Sequence, residues 1–317
     1  MNMLKTLNKI TNNIPSKAIF NFRLRMLKKM TFLPPTKYVH YLYEYNTKKK
    51  LDLNNPKEFN EKIQWYKVFY HPKILNQLVD KYAVRSYVEQ KIGSQYLNKI
   101  FGVYDSFSEI NFDTLPNKFV IKATHASSYN LIVKDKSSID KRKLKGLFKK
   151  WLGTNQYYRT GQEWAYKDVK PRLVVEKFLK DKDESSLIDY KFYCFKGIAK
   201  FLEVHIDRED NQKRAFYDLD FNKLAFRNVS VEKSIDREIP KPPTLNKMIE
   251  LSELLSDKLP FVRVDFYSID DNIIFGEMTF YPSDGRKDFY PKVYNKSIGD
   301  LFELPFKLVG KDIITDF

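Results

Sequence analysis

The sequence predicts an α+β fold in which antiparallel β-hairpins are separated by helices. Two hairpin patterns and a helical first third predict it. The run DYKFYCFKGIAKFLEVHID (189–207) is two β-rich arms around Lys196-Gly197. The run FVRVDFYSIDDNIIFGEMTFYPSDG, starting at Phe261, is two more around a polar turn.

Taken in chain order, residues 1–92 read mostly as helix, broken by FLPPT (32–36) and LNNPKEFNEK (53–62). Asn55 before Pro56 predicts a helix N-cap with proline at the first helical position. In KILNQLVDKYAVRSYVEQKIG (73–93), Leu75, Leu78, Val79, Tyr82, Ala83 and Val88 recur at helical spacing, and Gly93 is a natural C-cap. KFVIKA (118–123) predicts a strand, RKLKGLFKKWLG (142–153) a helix and PRLVVEKFL (171–179) a short apolar strand. RAFYDLDFNKLAF (214–226) repeats the hairpin pattern around DFN, and TLNKMIELSELLSDKL (244–259) is an amphipathic helix. These elements suggest a helical region over 1–92, a smaller lobe over 93–178 and a larger lobe over 179–317.

Composition narrows the function. The 317 residues are 43% hydrophobic, enough for a packed core. No stretch approaches the roughly 20 apolar residues of a spanning helix, and the N-terminus lacks a signal-peptide pattern. Cys194 is the single cysteine, which excludes a disulfide framework and a cysteine zinc site and suits a reducing cytoplasm. The net charge of +16 favours anionic partners. Helix-turn-helix, zinc-finger and aromatic RNA-binding signatures are absent, so nucleic acid is not the expected partner. Between Met1 and Tyr43 there are basic residues and no acid. That stretch reads either as a helix docked on its own domain or as a peripheral contact with the inner membrane face.

The hairpin at Phe261 places an acid in each arm, Asp265 and Glu277. With a three-residue loop at Asp270–Asn272, Asp265 faces Glu277 and Arg263 faces Thr279 on one side of the sheet, with Val262, Val264, Phe266 and Met278 on the other. Facing like charges repel, and a divalent ion relieves them. A two-residue loop shifts the register and separates the acids. A metal pair and a solvated acidic face both remain open at this point.

Four stretches in order are KFVIKATHASSYN (118–130), PRLVVEKFL, DYKFYCFKG (189–197) and VRVDFY…GEMTFYPSDG. With LNNPKEFNEKIQWYK, LVDKYAVRSYV and GVYDSF they make the chain resemble the ATP-grasp superfamily, and within it the teichuronopeptide-biosynthesis-type (TupA-like) proteins of bacterial surface-polysaccharide loci, over residues 40 to 290. The resemblance implies an ATP-grasp fold of two α+β lobes gripping ATP between antiparallel sheets. It implies that Lys122 reaches the α-phosphate and that Ser127, Ser128 and Asn130 belong to a loop over the phosphates, with His125 a candidate either for contact with a phosphate or the acceptor or for a structural hydrogen bond. Glu176 accepts from the adenine amino group and the backbone of Lys177, Phe178 and Leu179 completes the base edge. Lys191 and Arg263 contact phosphates, Asp189 orients Lys191, and Asp265, Glu277 and Thr279 hold Mg²⁺. The sequence departs from the family at Ala126 and Ser128, where glycines are usual, and at Thr279, where asparagine is common.

The implied reaction is ATP-dependent joining of a carboxylate to an amine through an acyl phosphate, on a cell-surface glycan or its precursor, with an amino acid or amine as the second substrate. A glycan kinase or another polysaccharide-locus transferase is an alternative. So is a catalytically impaired module that binds nucleotide or anionic glycan.

Overall fold

The computed structural model of the chain describes residues 26, 29–30, 32–180, 187–207, 211–307 and 313–316. The basic stretch before residue 26, with its expected helix and membrane contact, lies outside them.

Two antiparallel sheets organise the molecule. The smaller has β1 (Ile100–Tyr104), β2 (Phe119–Ala123), β3 (Asn130–Val133) and β4 (Leu173–Lys177) in the order β1-β4-β2-β3. The larger has β5 (Asp189–Phe195), β6 (Ile198–Ile206), β7 (Lys213–Tyr217), β8 (Phe261–Ile269) and β9 (Asn272–Thr279) in the order β7-β6-β5-β8-β9. Helices α1 (Pro35–Thr47), α2 (Phe59–Phe69), α3 (Ile74–Val79) and α4 (Val84–Ile92) precede the small sheet. Helices α5 (Lys141–Leu152) and α6 (Gln156–Arg159) lie between β3 and β4, α7 (Leu245–Ser256) precedes β8, and α8 (Val293–Leu301) follows β9. Among the described residues, no helix is long and apolar enough to cross a membrane.

Each sheet has its own core. In β2, Phe119, Ile121 and Ala123 alternate inward and pack with Leu173 and Val175 of β4 and with Phe148 and Trp151 of α5. The opposite face of β2, with Val120 and Lys122, is left for the space between the sheets. The large core buries Tyr190, Phe192, Cys194, Val262, Val264 and Phe266 with Met248, Leu251 and Leu255 of α7. Helices α1 and α2 join this same core through Tyr38, Leu42, Phe59, Ile63 and Tyr66. Cys194 is a free, buried thiol, pushed up to about 12 by burial.

Local chemistry moved several boundaries. Helix α2 starts at Phe59, not at the expected Pro56, because Glu61 Oε2 accepts the N–H groups of Lys57 (2.8 Å) and Glu58 (2.9 Å) and fixes the start there. The run 73–93 is two helices. Asp80 Oδ1 accepts from the N–H groups of Tyr82 (2.8 Å) and Ala83 (3.0 Å), and Arg172 pairs with its other oxygen at 3.0 Å, so the chain turns before α4 begins. The expected second hairpin around DFN is a strand, β7, and one isolated bridge, Tyr217 to Lys223. Asp218 Oδ1 accepts from Asp220 and Asn222 and turns the chain too tightly for a second arm.

After β9 comes a left-handed turn. Ser283, Asp284 and Gly285 have φ of 52°, 58° and 60°. Two non-glycine residues there cost on the order of 1 kcal/mol each, so the turn needs external support. Gln64 Nε2 donates to the Asp284 and Gly285 carbonyls, both at 2.8 Å. The buried Lys67 ammonium pairs with Asp284, as does Arg286 at 2.6 Å.

Candidate active site

The hairpin β8–β9 carries the two acids that the sequence brought forward. Asp265 pairs directly with Glu277 and Arg263 with Thr279, as expected, but by another route. The turn is only two residues, Asp270 and Asp271, both at positive φ. Near the tip the register is therefore the one that would part the acids. A bulge between Asp265 and Phe266 opposite Gly276 adds one residue to β9 and restores the pairing. A Cβ on Gly276 would sit 3.0 Å from the Asp265 carbonyl oxygen, which accounts for glycine at the bulge.

The repulsion between the acids is already offset by protein cations. Arg263 grips Asp265 with Nε and Nη2, both at 2.7 Å, and its Nη2 lies 3.3 Å from Glu277 Oε1. Lys191 Nζ, arriving from β5, lies 2.5 Å from Asp265 Oδ2 and 3.5 Å from Asp189 Oδ2. Tyr190 and Phe192 face the core, so strand alternation sends Asp189 and Lys191 to the polar side. Burial works to raise the Glu277 carboxyl, but Arg263, Lys191 and Lys81 outweigh it and hold it down to about 2. Its side chain keeps 41% exposure, so solvent screens part of that pull. Thr279 Oγ1 donates to Glu277 Oε1 at 3.2 Å and accepts from Arg263 at 3.1 Å.

Facing this hairpin is the open side of the small sheet, and a cavity of about 330 Å³ lies between them. The small sheet contributes Lys122, Glu176 and Asn130, and the large sheet Lys191, Asp265, Tyr267, Phe275 and Glu277. Lys122 Nζ and Glu176 Oε2 are 2.7 Å apart. Asn98 Nδ2 donates to the Lys177 carbonyl at 2.9 Å and reaches Glu176 Oε2 at 3.4 Å. The Lys177 N–H donates to the Lys99 carbonyl at 2.8 Å. Leu179 reaches the cavity; Lys177 and Phe178 do not line it.

The loop 124–129 is anchored from three sides. Ser127 Oγ accepts from Gln156 at 2.8 Å, and Arg159 Nη2 donates to the Ser127 carbonyl at 2.6 Å. Lys81 Nζ donates to the Ala126 carbonyl at 2.6 Å. Ser128 adopts φ 61°, the conformation that glycine adopts without strain, whereas Ala126 does not and is buried. Ser127 and Ser128 both line the cavity.

His125 is placed differently from its expected role. It is buried, away from the cavity lining, with Nε2 3.1 Å from the Trp151 carbonyl and 3.0 Å from that of Thr154. Both partners are acceptors, so Nε2 carries the proton and the ring ties the loop to the end of α5. Burial lowers its pKa and keeps it neutral. Arg263 and Thr279 also sit outside the lining, two pairs further along the hairpin, and act on the cavity through Asp265 and Glu277.

Lys81, Arg85, Leu97 and Asn98 line the cavity and were given no role from sequence. Lys81 is the most consequential. Burial lowers its pKa, and Glu277 pulls in the opposite direction. The stretch DKYAVR is part of the family resemblance, and its Asp-Lys pair is the available signal: Asp80 breaks the helix and Lys81 follows the break.

Among the described residues, no group of three or more His, Cys, Asp or Glu could hold a metal. The available donors are Asp265, Glu277 and the Thr279 hydroxyl, all hard oxygens. They suit a hard divalent ion that takes its other ligands from phosphate and water.

A family model described as TupA-like ATPgrasp matches residues 61–303. A comparison with curated proteins finds no match. Among solved structures, D-alanine–D-alanine ligase from Bacillus anthracis complexed with ATP is similar at 15% identity and a TM-score of 0.38, over 70% of this chain and 61% of that one. Phosphoribosylamine–glycine ligase from Thermotoga maritima gives 15% and 0.38, over 67% and 50%. N5-carboxyaminoimidazole synthase from Aspergillus clavatus gives 12% and 0.38, over 65% and 45%. The chain thus spans 45–61% of the length of these three proteins.

Proposed function

Because the chain belongs to the TupA-like ATP-grasp family, we propose that it is an ATP-dependent carboxylate–amine ligase that modifies a bacterial cell-surface polysaccharide or its precursor. One observation carries the reading. Lys122 and Glu176 from one sheet, and Lys191, Asp265 and Glu277 from the other, face a single cavity.

A carboxylate does not couple to an amine unaided, because its oxygen leaves poorly. In the proposed reaction the substrate carboxylate attacks the γ-phosphorus of ATP and ADP leaves. The amine then attacks the acyl carbon and phosphate leaves. The protein's part is positioning and charge neutralisation around an anionic centre. Lys122 and Lys81 take the phosphates from the small-sheet side and Lys191 from the large-sheet side, with Arg263 acting through Asp265 and Glu277. Glu176 accepts from the adenine amino group, with Asn98 steadying it. Phe178 and Leu179 serve the base edge through their backbone, since the Lys177 N–H is already engaged. Asp265 and Glu277, with Thr279 beside them, would hold Mg²⁺, which supplies charge neutralisation for phosphoryl transfer when bound. Consumption of ATP supports a cytoplasmic location. The acceptor is an acidic glycan or sugar precursor, and the donor an amino acid or amine.

The test is ADP release from ATP and Mg²⁺ with an acidic saccharide plus an amino acid, against saccharide alone. Release that needs both substrates supports the ligase, and release with saccharide alone supports a glycan kinase. Loss of ATP binding in Asp265→Ala/Glu277→Ala, with the fold intact, supports the site. The tightly anchored loop at Ser127 favours a second reading, a nucleotide-binding module without turnover. Tight ATP binding with no ADP release under any pairing would establish it.

A further inference from the structure

Helix α5 has a feature that the cavity does not use. Its apolar side is spent on the small core, where Phe148 and Trp151 are buried and Leu144, Leu147 and Leu152 half-buried. Its outer side exposes Lys141, Arg142, Lys143, Lys145, Lys149 and Lys150. Among the described residues, the one carboxylate paired with them is that of the N-cap, Asp140, 3.6 Å from Lys143. Among the described residues, Arg142, Lys145, Lys149 and Lys150 have no carboxylate partner.

The spacing gives this face a shape. At 3.6 residues per turn, Arg142, Lys145 and Lys149 form one flank and Lys143 and Lys150 the other. Gly146 lies between the flanks, and a Cβ built on it meets nothing within 4 Å. A glycine in an exposed helix interior costs about 1 kcal/mol relative to alanine. No turn, positive φ or close packing asks for it here. What it does provide is a strip of bare backbone between two rows of cations.

We propose that this strip holds a linear, carboxylate-bearing polysaccharide. The observations favour that occupant over two others. A membrane would need apolar side chains to insert, and the helix exposes none of its large ones. Single-stranded nucleic acid is held by stacking on exposed aromatics, which this face lacks. The end of α5 is bonded to the phosphate loop through His125, and Trp151 stacks on Tyr129 at 5.1 Å, so a polymer on α5 rides with the lobe that carries that loop. The proposal rests on the polysaccharide reading above for the kind of polymer, and on α5 alone for the place.

The experiment titrates the full chain into fluorescent polygalacturonate, with neutral dextran, anionic phospholipid vesicles and single-stranded DNA as competing probes. Polygalacturonate should bind, more weakly as salt rises. The variant Lys143→Ala/Lys145→Ala/Lys149→Ala/Lys150→Ala should bind at least tenfold more weakly while ATP binding stays within twofold. Gly146→Gln should raise the melting temperature and weaken polygalacturonate binding several-fold, opposite movements that a merely structural glycine would not give. Equal binding by the charge variant, equal binding of dextran, or tighter α5-dependent binding of vesicles or DNA overturns the proposal. Failure of the parent protein to bind ATP would sink the ligase reading alone.

Discussion

Lys122 and Glu176 form an ion pair across neighbouring strands, 2.7 Å apart at the wall of the cavity. Each is therefore held by the other, and on the proposed reading each would exchange that partner for a different part of the nucleotide. Replacing Lys122 with alanine should weaken ATP binding by about tenfold, roughly 1.4 kcal/mol. The melting temperature should change little, because the pair is partly exposed. Titration with a fluorescent ATP analogue measures the first and thermal unfolding the second.

Asn98 should matter for which base is accepted. Its amide holds the Lys177 carbonyl and reaches the Glu176 carboxylate. Asn98→Leu leaves both without that donor, a loss of about 1–3 kcal/mol where the groups are buried. ATP should bind more weakly, while GTP, which the proposed adenine contact does not favour, should change little. Parallel titrations would show the preference shrinking. An unchanged ratio means that Asn98 does not read the base.

Replacing Gly276 with valine should part Asp265 from Glu277, because the new side chain crowds the Asp265 carbonyl oxygen and disfavours the bulge. Without the bulge, the two-residue turn dictates the register along the whole hairpin, and Glu277 passes to the opposite face. The expected result is loss of Mg²⁺-dependent ATP binding in a protein that keeps its secondary structure. Circular dichroism and a titration with and without Mg²⁺ check both halves.

That hairpin also shows how far the sequence could be read. The two acids were legible from strand alternation, but their facing was expected from a three-residue loop, whereas the turn has two residues and the bulge restores the pairing. The bulge was not legible, since a glycine within a strand signals several things equally. Lys191 beside Asp189 followed from alternation alone. Lys81 did not follow from anything local: its direction depends on Asp80 ending a helix and pairing with Arg172, far along the chain. His125 read as chemistry because a lone histidine in a loop shows no sign of the carbonyls it will meet. Helix α8 and strands β1 and β3 carried weak patterns, and their placement comes from long-range pairing.

The depressed pKa of Glu277 makes a pH prediction. A carboxyl lower in the folded than in the unfolded protein contributes stability above its unfolded value, about 4.3. That contribution disappears as pH falls through the folded value, about 2. The stability advantage of the parent over Glu277→Gln should be constant above pH 5, shrink between about 4.3 and 2, and vanish below. Denaturant unfolding at a series of pH values measures it. An advantage independent of pH would mean that Glu277 is not held as an anion by its neighbours.

Lys67 should be costly to remove. Its ammonium is buried against Asp284 in the left-handed turn, and burial lowers its pKa. Lys67→Met leaves Asp284 dependent on Arg286, and losing one partner of a buried pair costs about 3–5 kcal/mol. Urea unfolding should show a loss of that order, and Lys67→Arg should recover less than the full stability because the ammonium's place is tightly enclosed.

The grip of Arg263 and Lys191 on Asp265 has a thermodynamic corollary. A cation entering alone must compete with two positive side chains for one carboxylate, while a triphosphate entering alone must lure those same side chains from an anion that already satisfies them. Arriving as a complex, each half supplies the replacement that the other displaces. On the proposed reading, the site would take the metal–nucleotide pair as one ligand, with the affinity for either alone suppressed by the protein's own charges.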